Sequence, residues 1–485
     1  MTVKNVIVRF IALAVFLLMP VALFVACDSS SDVIETVSSF GTDTVVEAEL
    51  TTTKTEEAVS EEYSTEEHTI GANTTDENTT EEATTEEVTT EVPYPFSYEI
   101  YKSDLADIMQ NMFEGEAVIG ESVMFIDHGE KKSLMYYADS ITSVTSYDGL
   151  VTYIEGVDYA LEDGKIVLLE GSSIPCITSD VYYNNTESDS LTIEHNGEIC
   201  NVYWGDGRQM TQWQILVSYT HFDSWDGFKQ ENFADVYEEF ISKLCRGEDV
   251  TVLFYGDSIA RGATSSAYVR HDPYQPNYTK LFVYALADLF NYKVVHTRTA
   301  LPKTFNEYFP TYNDGEDVRG TIYYVNSSVG GWGCYAAHEN VDQYVCEVIE
   351  KYGCDLLVVN FGMNDGTVQP KTFQTYIKQM LNIILESAPD ISVMMVSPMV
   401  SNPYDTDSGK NQILFEDPLE STAERYNRAG TPCALVRVGS VSESMLEHKT
   451  FNDYSGNNIN HPNDFFMRVY AQTLVQALIG YENMK

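Results

Sequence analysis

Apolar and polar residues alternate in two different ways along this chain. From residue 250 onward, short apolar runs are separated by stretches in which apolar residues recur at helical spacing. Parallel strands need long crossover connections, usually helical, so this alternation predicts a parallel sheet covered on both faces. The pattern therefore predicts a three-layer α/β/α sandwich over residues 248–485. The predicted strands are 251–255, 293–296, 321–325, 356–361, 392–397 and 434–438, and the predicted helices are 280–290, 336–352, 373–387 and 419–429.

Residues 96–240 have a different pattern, in which short β-prone runs lie between turn residues and helical periodicity is absent until 233–244. Asp163-Gly164 separates two of these runs, and an Asp-Gly pair favours a hairpin turn. The pattern predicts an antiparallel β-sandwich domain of jelly-roll type. Its predicted runs are 118–119, 122–126, 150–154, 165–169, 190–193 and 214–219.

Three tryptophans, Trp204, Trp213 and Trp225, lie near the end of this predicted domain. They could form a platform on which a sugar ring stacks, or they could belong to an aromatic core. The core is the more common role for such residues, so it is the favoured interpretation.

Two segments precede the predicted domains. Residues 1–27 combine a positive start, an apolar stretch and the sequence Phe-Val-Ala-Cys, which resembles a bacterial lipobox ending at Cys27. They predict a lipoprotein signal peptide with lipidation of Cys27, and the alternatives are an ordinary secretory signal or an uncleaved anchor. Residues 28–95 are a Thr/Glu-rich tract with a five-residue period, which predicts a disordered stalk or, alternatively, a glycosylated one.

These segments predict an extracellular, cell-surface lipoprotein that contacts the bacterial membrane only through its lipid anchor. The formal net charge of -46 argues against a nucleic-acid partner, because phosphates require a basic surface. No His-Glu-x-x-His motif, clustered Cys/His spacing or Gly-rich phosphate loop occurs, so neither a metal nor a cofactor is expected. Besides Cys27 there are seven cysteines, an odd number that leaves at least one thiol unpaired.

The segment 251–259 carries the first chemical motif, in which an apolar strand leads through Gly256 and Asp257 to Ser258. A helix beginning at this serine would present free N–H groups to an oxyanion forming beside it. The alternative is that Ser258 only caps a helix, since serine is a favoured N-cap residue. Ala260 stands where a Gly-x-Ser-x-Gly elbow would have its second glycine, which argues against that type of nucleophile turn.

Three later segments supply complementary groups. In 326–331, a Gly-Gly pair follows a predicted strand, and glycine lets the backbone approach a reacting carbonyl closely; the alternative is an ordinary Gly-Gly turn. In 362–365, directly after a predicted strand, the side-chain amide of Asn364 is a neutral donor suited to an oxyanion. In 458–462, His461 is a candidate general base for Ser258.

These four segments, in this order, resemble the SGNH (GDSL-type) hydrolase family over about residues 250–480. The resemblance implies a flavodoxin-like fold, Ser258 as nucleophile, His461 as base, and an oxyanion hole of the Ser258 and Gly331 N–H groups with the Asn364 amide. The family usually carries Asp three residues before the histidine, where this chain has Asn458.

Three interpretations of His461 therefore remain: orientation by a backbone carbonyl, by Asn458, or by a nearby carboxylate such as Asp464 or Asp453. Asparagine can accept a hydrogen bond from imidazole but cannot neutralise imidazolium. A Ser258–His461 dyad is the preferred interpretation.

The predicted function is an exported serine esterase that removes O-acetyl groups from polysaccharide. A jelly-roll-like domain ahead of the SGNH-like domain resembles bacterial carbohydrate esterases, which implies an acetylated polysaccharide or another ester as the partner. The alternatives are a lipase or thioesterase that acts on longer acyl esters, and a catalytically inactive surface protein that binds carbohydrate.

Overall fold

The computed structural model describes residues 105, 108–185, 191–304, 309–406 and 409–483. All of these described residues belong to one compact unit. The predicted signal peptide, the predicted stalk and Cys27 lie outside the described residues. Among the helices of the described residues, none is both long enough and apolar enough to cross a membrane.

A six-stranded parallel sheet forms the centre of the α/β region, as the sequence predicted. Its strands lie in the order β10-β11-β9-β12-β13-β14. Without the edge strand β10, this is the flavodoxin-like order 2-1-3-4-5. The strands are β9 (Val250–Gly256), β10 (Tyr292–Thr297), β11 (Gly320–Asn326), β12 (Leu356–Asn360), β13 (Ser392–Val396) and β14 (Cys433–Val436).

The register brings the ends of three central strands to one edge of this sheet. Asn360 at the end of β12 is opposite Gly256 at the end of β9. Asn326 at the end of β11 is opposite Phe254 of β9. Because the strands are parallel, the segments that follow β9, β11 and β12 leave the sheet side by side. These segments are the ones that contain Ser258, Gly331 and Asn364.

Alternating residues of β9 serve two separate cores, as expected for a strand buried on both faces. Val252 and Phe254 pack with the helices over 278–290 and 464–479, whereas Leu253 and Tyr255 pack with the helices that lie between residues 334 and 428. The helices are α1 (Ser179–Tyr183), α2 (Arg208–Thr211), α3 (Glu238–Arg246), α4 (Ser258–Arg261), α5 (Tyr278–Phe290), α6 (Cys334–Glu339), α7 (Glu347–Tyr352), α8 (Pro370–Ser387), α9 (Glu416–Arg428), α10 (Val438–Met445), α11 (Phe451–Tyr454) and α12 (Asp464–Ile479).

The four helices predicted in the α/β region are present, although the one predicted over 336–352 is divided between α6, a π-helical turn (Asp342–Cys346) and α7. Helix α12 was not predicted. Every residue of α12 except Gln476 is buried, including polar ones such as Arg468, so the helix lacks the exposed polar face by which a surface helix is recognised.

The β region precedes this sheet and consists of antiparallel strands, as predicted. They form one sheet in the order β1-β8-β3, another in the order β2-β5-β4, and the hairpin β6-β7. The strands are β1 (Ala117–Met124), β2 (Lys131–Lys132), β3 (Ala138–Ser146), β4 (Tyr159–Glu162), β5 (Lys165–Leu168), β6 (Thr192–His195), β7 (Glu198–Asn201) and β8 (Gln214–His221).

Two local predictions in the β region have opposite outcomes. Asp163 and Gly164 form the turn between β4 and β5, with φ of 50° and 71°, which confirms the hairpin. The run at 150–154 is not a strand: it makes an isolated bridge through Thr152, and its Leu150 is 73% exposed. The long strand β3 was missed.

The β region and the α/β region share one core. The buried guanidinium of Arg468 on α12 donates to the carbonyl groups of Ile108 and Ile119, at 3.1 and 2.6 Å. The buried ammonium of Lys449 pairs with the buried carboxylate of Glu121 on β1. The domain boundary predicted between residues 240 and 248 stays a prediction, and it falls within and just after α3.

The tryptophans and cysteines mostly have structural roles. Trp225 is 2% exposed and packs edge-on against Phe113 and Tyr136 in the shared core. Trp204 and Trp213 are half-buried and pack against a smaller cluster in the β region. The seven cysteines of the described residues are all unpaired: Cys176, Cys200, Cys245, Cys334, Cys346, Cys354 and Cys433.

Candidate active site

Ser258 lies at the first position of α4, directly beyond the end of β9. The N-cap of this helix is Asp257, whose carboxylate accepts the N–H of Ile259 at 2.9 Å. A side chain at Gly256 would place its Cβ 2.6 Å from the Asn360 carbonyl oxygen, so only glycine fits this turn. Ser258 is therefore not the capping residue, and its hydroxyl is available for another role. Helix α4 is a single turn, so its dipole contributes little.

Asp257 is buried beneath this turn, as expected for a residue that holds the loop together. Burial raises the pKa of its carboxyl to about 7, against the lowering effect of the Ile259 N–H hydrogen bond. Asp365 has a similar structural position: its two carboxylate oxygens each lie 3.0 Å from the N–H of Cys334. Asp365 thereby ties the segment after β12 to the segment after β11.

The structure brings Ser258 and His461 together. The Ser258 Oγ lies 2.8 Å from the His461 Nε2, which is hydrogen-bonding distance. Both residues are half-buried. The hydroxyl and the imidazole thus have the geometry of a nucleophile and its general base.

A compact loop between α11 and α12 holds His461 in this position. The Asn457 Oδ1 accepts the N–H groups of Ile459, Asn460 and His461 at 3.0, 2.9 and 3.0 Å. The carbonyl of His461 accepts the Gly456 N–H at 2.8 Å. The backbone that carries the imidazole is therefore fixed by local hydrogen bonds.

The candidate oxyanion donors follow three neighbouring strands. The Ser258 N–H is at the first position of α4, where no acceptor exists within the helix. Gly331 is exposed with φ of 78°, and a Cβ added to its neighbour Gly330 would lie 3.8 Å from the Ser258 Cβ. The exposed Asn364 donates from Nδ2 to the Trp332 carbonyl at 3.0 Å. An amide has two N–H donors, so one remains for a bound oxyanion.

The residues considered from sequence as partners of the imidazole have other contacts. The Asn458 Nδ2 donates to the Tyr182 hydroxyl at 3.0 Å and to the Tyr203 carbonyl at 2.9 Å. The Asp464 carboxylate accepts the Ser266 N–H at 2.9 Å. Burial raises the pKa of Asp464 to about 6.

Asp453 likewise pairs with Lys132, at 3.1 Å, and accepts the Met124 N–H. Among the described residues, the hydrogen bonds of Asn458, Asp464 and Asp453 do not include the His461 ring. Orientation by one of these side chains is one of the three interpretations that the sequence leaves open, and in the structure the side chains of Asn458 and Asp453 instead connect the α/β region to the β region.

Two residues that sequence reasoning missed face the Nδ1 of His461. The Asn457 Nδ2 lies 3.0 Å from it, and the Oδ1 of Asp206, from the β region, lies 3.6 Å from it. The nearby His461 ring lowers the pKa of Asp206, with a smaller opposing effect of desolvation. The only local signal in the sequence is the pair of glycines that flank Asp206, which marks a tight turn but not its destination.

No family model matches the chain, and no curated protein matches it by sequence. Among solved structures, a two-domain esterase (CEX) active on acetylated mannans is 15% identical, with a TM-score of 0.38 over 53% of this chain. This chain spans 55% of the length of that esterase. The acetyl xylan esterase AlAXEase is 15% identical, with a TM-score of 0.33 over 47% of this chain and 100% of its own.

A carbohydrate esterase of family 3 from Talaromyces cellulolyticus is also 15% identical, with a TM-score of 0.32 over 47% of this chain and 97% of its own. At these values the likeness carries no conclusion about activity. The chain resembles SGNH hydrolases in the order of its motifs, and its central sheet has the flavodoxin-like strand order that this resemblance implies. The activity must be argued from the site itself.

Proposed function

We propose that this protein is a serine esterase in which Ser258 attacks the carbonyl carbon of an ester. The observation that carries the proposal is the 2.8 Å contact between Ser258 Oγ and His461 Nε2 at the carboxyl end of a parallel sheet. A catalytically inactive protein would not require this contact, nor the two neighbouring loops that carry the candidate donors Gly331 and Asn364. The alternative of a purely carbohydrate-binding protein is therefore less favoured.

The reaction proceeds in two half-reactions. As Ser258 Oγ bonds to the carbonyl carbon, its proton passes to the His461 Nε2, and the oxyanion is held by the Ser258 and Gly331 N–H groups and the Asn364 amide. His461 then returns the proton to the departing alcohol, which leaves an acyl-Ser258. A water molecule that loses its proton to His461 hydrolyses this acyl group, and Ser258 recovers its proton.

The proposed substrate is an O-acetyl group on a polysaccharide. Gly331 and Asn364 are exposed, so the oxyanion side is open enough for an ester carried on a large polymer. Beside Gly331, the half-buried Trp332 packs against Tyr344 with ring centroids 4.7 Å apart and offers an apolar wall next to the candidate oxyanion donors. The solved structures named above include esterases described as active on acetylated mannans or xylan, which is consistent with the same class.

The test compares the whole wild-type chain, purified in detergent, with the Ser258→Ala variant. The control is Ser140→Ala, which replaces an exposed serine on β3. We expect acetate release from acetylated xylan or mannan by the wild type and Ser140→Ala, and a loss of about 10⁴-fold or more in Ser258→Ala. A fluorophosphonate probe should label the first two proteins and not the third. Labelling together with preference for octanoyl over acetyl esters would instead indicate a lipase. No labelling of the wild type would refute the esterase proposal.

We also propose that the protein is exported and anchored at the cell surface through a lipid on Cys27. The support is the lipobox-like sequence before Cys27 and the Thr/Glu-rich tract after it. Metabolic labelling with a fatty-acid analogue should mark the wild type but not Cys27→Ala. Equal labelling of both proteins would contradict the proposal.

A further inference from the structure

The Nδ1 side of His461 determines whether this histidine can act as a base. To accept the Ser258 proton, Nε2 must present a lone pair, so a neutral ring must carry its hydrogen on Nδ1. That hydrogen needs an acceptor. The identity of the group facing Nδ1 therefore decides which tautomer is stable.

Asn457 cannot be that acceptor. Its Oδ1 already receives three backbone N–H groups, from Ile459, Asn460 and His461. The Asn457 NH₂ group consequently faces the His461 Nδ1, at 3.0 Å. Exchanging the amide oxygen and nitrogen would replace three good hydrogen bonds with three donor–donor contacts. On its own, Asn457 stabilises the tautomer with its hydrogen on Nε2, which cannot take a proton from Ser258.

Asp206 is the carboxylate that lies against the ring. Its Oδ1 is 3.6 Å from Nδ1, and its side chain is 67% exposed. A movement of about 0.7 Å, within reach of an exposed side chain, would bring this oxygen to hydrogen-bonding distance. Asp206 is the only carboxylate that the described part of the chain places beside Nδ1.

The segment that carries Asp206 is fixed to the histidine loop. The Gly205 N–H donates to the Asn457 carbonyl at 3.3 Å, and the Asn458 amide donates to the Tyr203 carbonyl at 2.9 Å. Gly207 has φ of 58°, and a Cβ there would lie 3.0 Å from a methyl group of Val269, so the turn requires glycine. Asp206 is thus held at this place by two hydrogen bonds between the residues just before it and the histidine loop.

We propose that Asp206 of the β region is the positioning residue for His461: it accepts the Nδ1–H, selects the basic tautomer and stabilises the imidazolium formed during the reaction. This inference rests on the proposed esterase function. The resembled family usually places an aspartate three residues before the histidine, and here Asn458 holds the segment that brings the carboxylate from elsewhere. The β region thereby completes the site rather than only binding substrate.

The test uses the whole chain and an activated acetyl ester. In Asp206→Asn, we expect kcat/KM to fall about 10²- to 10⁴-fold, mainly through kcat. Asp206→Glu should recover part of the activity, and added formate should stimulate Asp206→Ala. Asp226→Asn is the matched control, since Asp226 is a 79% exposed carboxylate 3.1 Å from His448.

The possible failures are distinguishable. If Asp206→Asn stays within about threefold of the wild type, Asp206 has no positioning role and a Ser258–His461 dyad suffices. If the wild type itself neither hydrolyses the ester nor reacts with a fluorophosphonate, the esterase proposal fails instead. Should Asp206→Asn unfold, the formate response of Asp206→Ala and the activity of Asp206→Glu decide, and failure of both would overturn the inference.

Discussion

The α/β region and the β region both contribute to the candidate site, but they hold their residues in different ways. Ser258 follows β9, all seven residues of which are buried, so its position is set by a rigid strand and a turn that admits only glycine. Asp206 lies on a turn of the β region with its side chain mostly in solvent. The nucleophile is therefore fixed by packing, whereas the carboxylate depends on how one region is attached to the other.

That attachment uses buried charge as well as apolar area. Glu121 on β1 is fully buried and accepts the Tyr219 hydroxyl at 2.7 Å, the Met135 N–H and the ammonium of Lys449. Desolvating such a pair is costly, so removing one partner leaves an uncompensated charge. The attachment should be sensitive to single substitutions that would be harmless at the surface.

The largest expected effect comes from breaking this attachment. Lys449→Met should lower the free energy of unfolding by about 3–5 kcal/mol, because Glu121 would remain buried without its counter-ion. Denaturant titration of the whole chain measures this value. The matched control is Lys131→Met, whose partner Glu162 is half-exposed, and we expect a change below about 1 kcal/mol there. Equal effects of the two substitutions would show that the Lys449–Glu121 pair does not hold the regions together.

The next effect concerns the donors of the α/β region. Asn364→Ala should reduce kcat for an acetyl ester about 10²- to 10³-fold with little change in KM, because its amide acts only on the developing oxyanion. Initial rates over a range of substrate concentrations separate the two constants. Asn427→Ala, at an exposed position of α9, serves as the control. A rise in KM with unchanged kcat would instead assign Asn364 to ground-state binding.

The smallest effect concerns the buried carboxyl beneath Ser258. Because burial raises the pKa of Asp257 from 3.8 to about 7, the folded protein retains a proton that the unfolded chain loses. Asp257 therefore contributes stability that is present at pH 4 and is lost as the pH rises towards 7. Between pH 4 and pH 7.5, the Asp257→Asn variant should lose less free energy of unfolding than the wild type loses. The difference should be roughly 1 kcal/mol or more.

Urea unfolding of the wild type and Asp257→Asn at several pH values tests this point. The Asp226→Asn variant, altered at an exposed carboxylate, should follow the wild type. Parallel curves for the wild type and Asp257→Asn would mean that Asp257 is already ionised in the folded protein. The buried carboxyl beneath the turn that carries Ser258 would then be charged.

Much of the α/β region could be predicted because its signals are local. The apolar runs become the parallel strands β9 to β14, and the residues directly after them reach the same edge of the sheet by the rule for parallel strands. Ser258, Gly331 and Asn364 follow these strands, and the resemblance of their motifs to SGNH hydrolases singled them out. In the β region, the turn at Asp163-Gly164 was equally local, whereas the apolar run at 150–154 lies largely exposed because tertiary packing overrides β propensity.

The sequence alone determined which segments form the parallel sheet and which polar groups follow its strands, because periodicity and turn chemistry act between near neighbours. Only the tertiary structure decided what faces the Nδ1 of His461. Asp206 reaches it through hydrogen bonds between loops that are distant in the chain, and Asn458 takes part in that docking instead of contacting the ring. No local pattern encodes such a contact, since it depends on a core that the β and α/β regions bury together.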